Sequence, residues 1–189
     1  MAAQWNNPRD IQERIIIQGR LALETPAHLG CGDSEGLLDM ALMRDAYSGG
    51  ILLTGSTLAG ALKGYLTGLG KQEEAKKLFG EVEDTAKESR ESWLIVEDAV
   101  SPGPRIETRD GVAISGETGA AEDKAKYDIE LLSAGAEFVI GFELLVPKTG
   151  GEELVETLAA ALAALERGEI RLGKRKRRGF GRCKVTGWK

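Results

Sequence analysis

Residues 136–146, AEFVIGFELLV, place Phe138, Ile140, Phe142, Leu144 and Val146 at a period of two. Only a strand with one buried face satisfies that period. The period then changes: in Glu152 to Arg167, Leu154, Leu158, Leu162 and Leu165 form one helical stripe, and Gly168 follows as its stop signal. A strand feeding a helix within so few residues restricts how the rest can be arranged. Residues 14–24 form a second strand, with Ile15, Ile17, Leu21 and Leu23 on one face and Gly19 as a possible bulge. An N-cap at Ser56-Thr57 opens a helix whose core side is Leu58, Leu62, Tyr65, Leu66 and Leu69. KQEEAKKLFG continues as a short second helix, Trp93 to Asp98 predicts a strand, and Phe180 to Trp188 predicts the last one. Residues 25–55 and 99–135 lack a clear period and predict long loops. The principal order is strand, helix, strand, strand, helix, strand. That order predicts an α+β fold with a ferredoxin-like, RRM-like βαββαβ core, inserted loops and one copy of the unit in a single domain over 1–189. The fold alone does not decide function, although its sheet commonly meets RNA.

Charge supplies the next constraint. The chain has 189 residues, with 25 basic and 30 acidic side chains and a net charge of -5. The distribution is uneven. Residues 171–189 hold Arg171, Lys174, Arg175, Lys176, Arg177, Arg178, Arg182, Lys184 and Lys189 and no acid, so the other residues carry 16 basic against 30 acidic groups. A basic end on an acidic body predicts a polyanionic partner at one local face. Cys31 and Cys183 fit no zinc template or disulfide framework. The start, MAAQWNNPRD, has no apolar signal-peptide core, and no apolar stretch approaches the roughly 20 residues of a membrane span. A cytoplasmic protein with no membrane partner is expected.

Three motifs carry chemistry. In GEIRLGKRKRRGFGRCKV (168–185), Lys174, Arg175, Lys176, Arg177 and Arg178 lie between Gly173 and Gly179, with Gly181 beyond. Glycines let backbone approach phosphate and form anion nests, and Arg adds bidentate contacts. The competing reading is a solvated basic turn. In ILLTGSTLAGALKG (51–64), Gly55, Ser56 and Thr57 start a helix, a natural phosphate site. Gly55 and Gly60 have Walker spacing, but Ala61 and Leu62 replace its Lys and Ser/Thr, which excludes a P-loop NTPase. The bland alternative there is an ordinary capped helix. In HLGCGDSEGLLDMALMRD (28–45), Asp33, Glu35, Asp39 and Asp45 occupy a Gly-rich loop, and only Asp39 is set among Leu37, Leu38, Met40 and Leu42. An acid in an apolar run is either a satisfied structural group or a functional one. His28, the sole histidine, is a candidate general base, though a packed loop histidine is the stronger reading because no partner acid or base is identifiable nearby.

Together these motifs resemble the RAMP superfamily of CRISPR-associated proteins, most closely the subunit that repeats along the backbone of type III effector complexes. The resemblance runs through LETPAHLGCG (23–32), GLLDMALMRD (36–45), LLTGSTLAGALKG (52–64), RDGVAISGETGAA (109–121), LLSAGAEF (131–138) and GKRKRRGFGRCKV (173–185). It implies a ferredoxin-like core. It also implies that the basic loop (about 171–182) and the Gly55-Ser56-Thr57 helix start hold guide RNA. The stretch 101–135 is implied to be a projecting thumb that interrupts the guide–target duplex and displaces a nucleotide. Asp39, in Gly36-Leu37-Leu38-Asp39, falls where catalytic relatives carry the aspartate that cleaves target RNA. The resemblance thus implies a role for Asp39 as ligand of a divalent metal ion, Mg or Mn, or as an aid to proton removal from the attacking 2′-OH. It further implies neighbouring subunits stacked like with like. Two departures stand out. Ala59 replaces the Lys that often precedes the helix-turn glycine, with Lys63 one turn later as a partial substitute. Glu117, Glu122 and Asp123 make the thumb partly acidic, which favours protein packing there. The chain is also short for a complete backbone subunit, so either missing residues or a reduced thumb is expected. The alternatives are a non-catalytic subunit of the same complex, a guide-processing RAMP endonuclease using His28, and an unrelated basic RNA-binding domain.

Overall fold

A computed structural model describes residues 10–30, 41–81, 90–114 and 121–189, giving backbone alone for 112–114 and 121–126. Its central sheet contains β1 (Ile11–Leu23), β3 (Leu94–Val96), β7 (Glu137–Pro147) and β8 (Cys183–Thr186) in the order β3-β7-β1-β8. All three pairings are antiparallel. With α1 (Gly55–Gly68) following β1 and α3 (Gly151–Glu166) following β7, this is the ferredoxin-like topology. Further strand segments lie outside the sheet: β2 (Ile51–Leu53) pairs with β4 (Ala99–Ser101), and β5 (Ile106–Ile114) pairs with β6 (Ala121–Leu132) as a long hairpin. A short helix, α2 (Gln72–Phe79), follows α1.

The core forms because each principal element has one apolar face. Leu21 and Leu23 of β1 and Phe138, Ile140 and Phe142 of β7 pack with Leu58, Leu62 and Leu66 of α1 and Leu154, Leu158 and Leu165 of α3. The other sheet face is open. It exposes Ile16 and Val139, while Arg14 pairs with Glu143 and Arg20 with Glu137 at 2.9 and 3.3 Å. Its β1 and β7 positions carry no aromatic side chain on which a base could stack, and their arginines are already neutralised.

Several local expectations are corrected. Gly19 is not a bulge: it pairs in register with Ile140, and the register shift lies between Ile11 and Glu13. Gly19 is needed because the Trp188 ring occupies the space of a Cβ, 2.6 Å away. The α1 cap is Thr54, whose side chain accepts the Thr57 N–H, rather than Ser56-Thr57. Leu69 is 57% exposed at the helix end, leaving the core to Leu58, Leu62 and Leu66. The aperiodic stretch after Asp98 contains β4 and the hairpin. The last strand begins at Cys183, since Phe180 and Gly181 belong to the preceding loop. No described helix is long and apolar enough to cross a membrane. Cys183 is buried and reduced, and burial pushes its thiol up to about 12. Cys31 lies outside the described residues.

Candidate nucleic-acid interface

The basic segment is a closed loop with a paired neck. Arg171 bridges Arg182, and the Leu172 N–H donates to the Gly181 carbonyl at 2.9 Å. The loop docks on the chain just after β1. Gly181 N–H donates to Pro26 O at 2.9 Å, and Lys174 N–H donates to His28 O at 3.1 Å. Thr25 works in both directions, donating its hydroxyl to Gly179 O and accepting from Arg182 N–H, each at 3.0 Å. The glycines make this docking possible. Gly173 (φ 79°) and Gly181 (φ 76°) have left-handed backbones, and a Cβ would collide with the carbonyls of His28 and Leu172 respectively.

The docked backbone displays its charge outward. Lys176–Arg178 forms one 3-10 turn, and Lys174, Lys176, Arg177 and Arg178 are exposed while Arg175 is half-buried. The amides of Lys174, Arg178, Gly179 and Gly181 are spent on internal carbonyls, so the side chains carry much of the anion affinity. Other basic groups are internally engaged. Lys184 and Arg182 face Glu24 at 2.9 and 3.8 Å, and Arg171 donates to Lys176 O at 2.7 Å. Of the nine basic residues, Lys174, Lys176, Arg177 and Arg178 form an exposed quartet on the loop, Arg182, Lys184 and Lys189 are exposed beyond it, and Arg171 and Arg175 are half-buried.

The α1 start is already furnished. Thr54 Oγ1 lies 2.8 Å from Thr57 Oγ1 and 3.0 Å from Ser56 Oγ, and Gly55 N–H donates to Asp98 Oδ1 at 2.7 Å. A Cβ at Gly55 would strike the Val96 carbonyl. Asp98 therefore complements the positive end of the helix dipole, in the place an RNA phosphate would otherwise take. Ser56 remains exposed and lines a groove with Gly55, Gly60, Lys63 and Phe79. The Lys63 ammonium donates to Gly80 O at 2.8 Å, satisfying a carbonyl at the end of α2.

The hairpin stands beside the basic loop. Tyr127 and Gly111 are cross-strand partners, and the tyrosine ring fills the space a Cβ at Gly111 would need. The Arg175 guanidinium lies over that ring, 4.6 Å from its centroid, while Arg109 of the hairpin lies 5.7 Å from the Phe180 centroid. Hydrogen bonding and charge from Arg175, with a smaller effect of Arg178, hold the Tyr127 phenol below its ordinary value. These pairings escape sequence periodicity; the one local signal is a glycine in a strand opposite an aromatic residue.

At the hairpin root, Glu130 joins three segments. Its carboxylate accepts from Leu42 N–H at 3.0 Å and from Arg44 at 3.2 Å, and its backbone oxygen lies 3.0 Å from His28 Nδ1. His28 is 1% exposed, so it is a hydrogen-bonded interior histidine rather than an open general base. Burial, aided by Lys174 and Arg175, lowers its pKa against the raising effect of the Glu130 carbonyl. Asp39 lies outside the described residues, as do Asp33, Glu35 and Glu117 and the side chains of Glu122 and Asp123. Gly30 and Leu42, on either side of the segment that contains Asp39, form a β-bridge beside Glu130. Among the described residues no group of three or more His, Cys, Asp or Glu side chains is placed to hold a metal ion.

Comparison places these features in a lineage. A chain in the cryo-EM structure of the type III-B Cmr-beta bound to cognate target RNA superposes with a TM-score of 0.68 at 14% identity, covering 94% of this chain. The match spans only 60% of that longer chain. A chain from the apo state of Cmr-beta gives the same TM-score at 12% identity, covering 91% of this chain and 96% of its own length. No curated protein sequence matches. The sequence model of the RAMP superfamily matches residues 20–184, from the middle of β1 to β8, so the chain belongs to the RAMP superfamily.

Proposed function

We propose that this chain is a guide-RNA-binding backbone subunit of a type III CRISPR effector, that it stacks with like neighbours, and that it cleaves target RNA through Asp39. The observation carrying the reading is the exposed quartet Lys174, Lys176, Arg177 and Arg178, held by a docked glycine loop beside a projecting hairpin. The likeness in fold to a chain solved with cognate target RNA supports it. In this reading the quartet and Ser56 hold the guide backbone, Thr57 and Gly55 shape the helix start, and the β5–β6 hairpin acts as the thumb.

Cleavage in this scheme needs little from the protein beyond geometry. A displaced nucleotide lets its 2′-OH align with the adjacent phosphorus. The hydroxyl loses its proton, the oxygen bonds to phosphorus, and the P–O5′ bond breaks. The products are a 2′,3′-cyclic phosphate and a 5′-OH that takes up a proton. Asp39 aids the proton loss. Asp39, with phosphate oxygens and water, would hold the Mg or Mn ion that the resemblance implies, and the bound ion would supply a Lewis acid beside the reacting phosphate.

The test reconstitutes the complex with guide and complementary target RNA. Wild type should yield 2′,3′-cyclic-phosphate ends at regular spacing, and Asp39→Ala should lose cleavage by at least about a hundredfold with RNA affinity unchanged. A 2′-deoxy nucleotide at the cut position should block cutting, and an EDTA arm reports any metal requirement. Cleavage persisting in Asp39→Ala would sink the catalytic assignment. An inert wild type that binds guide normally would identify a structural subunit.

A further inference from the structure

The hairpin and the basic loop are joined by two Arg–aromatic pairs with opposite polarity. The loop contributes Arg175 to the hairpin's Tyr127, and the hairpin contributes Arg109 to the loop's Phe180. We infer that this reciprocal clamp couples guide-RNA binding on the loop to the orientation of the hairpin, with Tyr127 and Arg109 as positioning residues. The inference rests on the RNA-binding reading above.

Three independent features support it. First, Arg175 is the only non-glycine residue with positive φ among the described residues (57°), a backbone state that surrounding contacts must maintain. Its guanidinium over Tyr127 is one such contact, and its carbonyl accepts the Arg178 N–H at 2.8 Å. Second, the hairpin is shaped for the clamp. Gly111 clears the space for the Tyr127 ring, and Glu107 holds Arg109 at 2.9 Å. Third, the loop has little freedom to absorb a change, because Lys174 N–H is fixed to His28 O and Gly181 N–H to Pro26 O. RNA phosphates drawn to Lys174, Lys176, Arg177 and Arg178 compete for Arg175 or immobilise it. Either effect reaches Tyr127 directly and the hairpin through it. The cationic surroundings that depress the Tyr127 phenol act in the same sense, because they tie that ring to the loop's charge.

Amide hydrogen exchange on the full chain tests the clamp, with a single-stranded RNA oligonucleotide as probe and binding measured in parallel. In wild type, RNA should change exchange at hairpin amides 107–111 and 127–131 by about fivefold or more. Tyr127→Phe keeps the ring and loses the hydroxyl that Arg175 bonds, so it should retain more of the response than a variant without the ring. The double variant Tyr127→Leu/Phe180→Leu keeps all the exposed cations, so it should bind RNA within about threefold of wild type yet lose the hairpin response. Arg109→Gln, at a partly exposed side chain, should reduce the response without unfolding. RNA binding that leaves the wild-type hairpin unchanged overturns the coupling and leaves the RNA-binding reading intact. A response that persists in the double variant does the same. Wild type that binds no RNA overturns both.

Discussion

At the residue scale the structure turns on small groups in tight places. Gly181 sits under the Leu172 carbonyl with a left-handed backbone. Gly181→Ala should destabilise the protein by roughly 2 kcal/mol or more, seen as a lower urea midpoint. Gly179→Ala has the same sign of φ but open space around it, so its cost should be smaller. His28 makes a pH prediction. Its folded-state pKa lies below the ordinary 6.5. The unfolded chain then binds the proton more readily, so the stability from a neutral His28 is complete above about pH 7 and falls as pH drops through 6.5. His28→Asn offers a donor toward the Glu130 carbonyl and does not titrate, so it should flatten that part of the stability–pH curve. The sequence marked these glycines and this histidine as special. It did not reveal why, since their partners lie on segments far away in the chain.

At the element scale, legibility follows burial. β1, β7, α1 and α3 each bury one face, and their periods are plain in the sequence. In β5, Thr108, Arg109 and Asp110 are all exposed, so neither face of that stretch is buried, and ETRDG is polar throughout and leaves no period. Among the described side chains of the β5–β6 hairpin, those at the root, Ile129, Leu131 and Leu132, enter the interior. The α1 cap was misplaced because Gly55, Ser56 and Thr57 are also plausible starters, whereas the choice depends on Asp98 taking the Gly55 N–H from another element. Thr54→Ala should cost about 1 kcal/mol and lower the melting temperature by about 2–4 °C. Asp98→Asn should leave the fold in place and strengthen RNA binding if the α1 start adjoins the guide backbone, because a negative charge leaves the helix N-terminus. Unchanged affinity would place the guide elsewhere.

At the scale of the whole molecule, the basic end that the sequence marks is a docked loop followed by β8. Glu24 lies against Arg182 and Lys184, and Arg171 braces the loop, while Lys174, Lys176, Arg177 and Arg178 are exposed on the loop itself. Replacing Lys174, Lys176, Arg177 and Arg178 with Gln should weaken binding to all RNA sequences alike. It should also flatten the plot of log affinity against log salt by about 0.7 for each phosphate the variant no longer neutralises. Weakening confined to one sequence would contradict a backbone-binding role. The open sheet face predicts the complement: Arg14→Gln and Arg20→Gln should leave RNA affinity within about twofold, because each arginine already faces a glutamate.

The paired neck of the basic loop has a consequence for protein engineering. Because Leu172 and Gly181 close the loop and β8 takes its register from Leu21 and Leu23, the charges on the exposed side chains of Lys174, Lys176, Arg177 and Arg178 are separable from the register of the last strand. Side chains of different charge at those four positions should leave the last strand where it is. The same chain can thus be retuned for a differently charged ligand by rewriting a few codons, provided Gly173 and Gly181 stay in place.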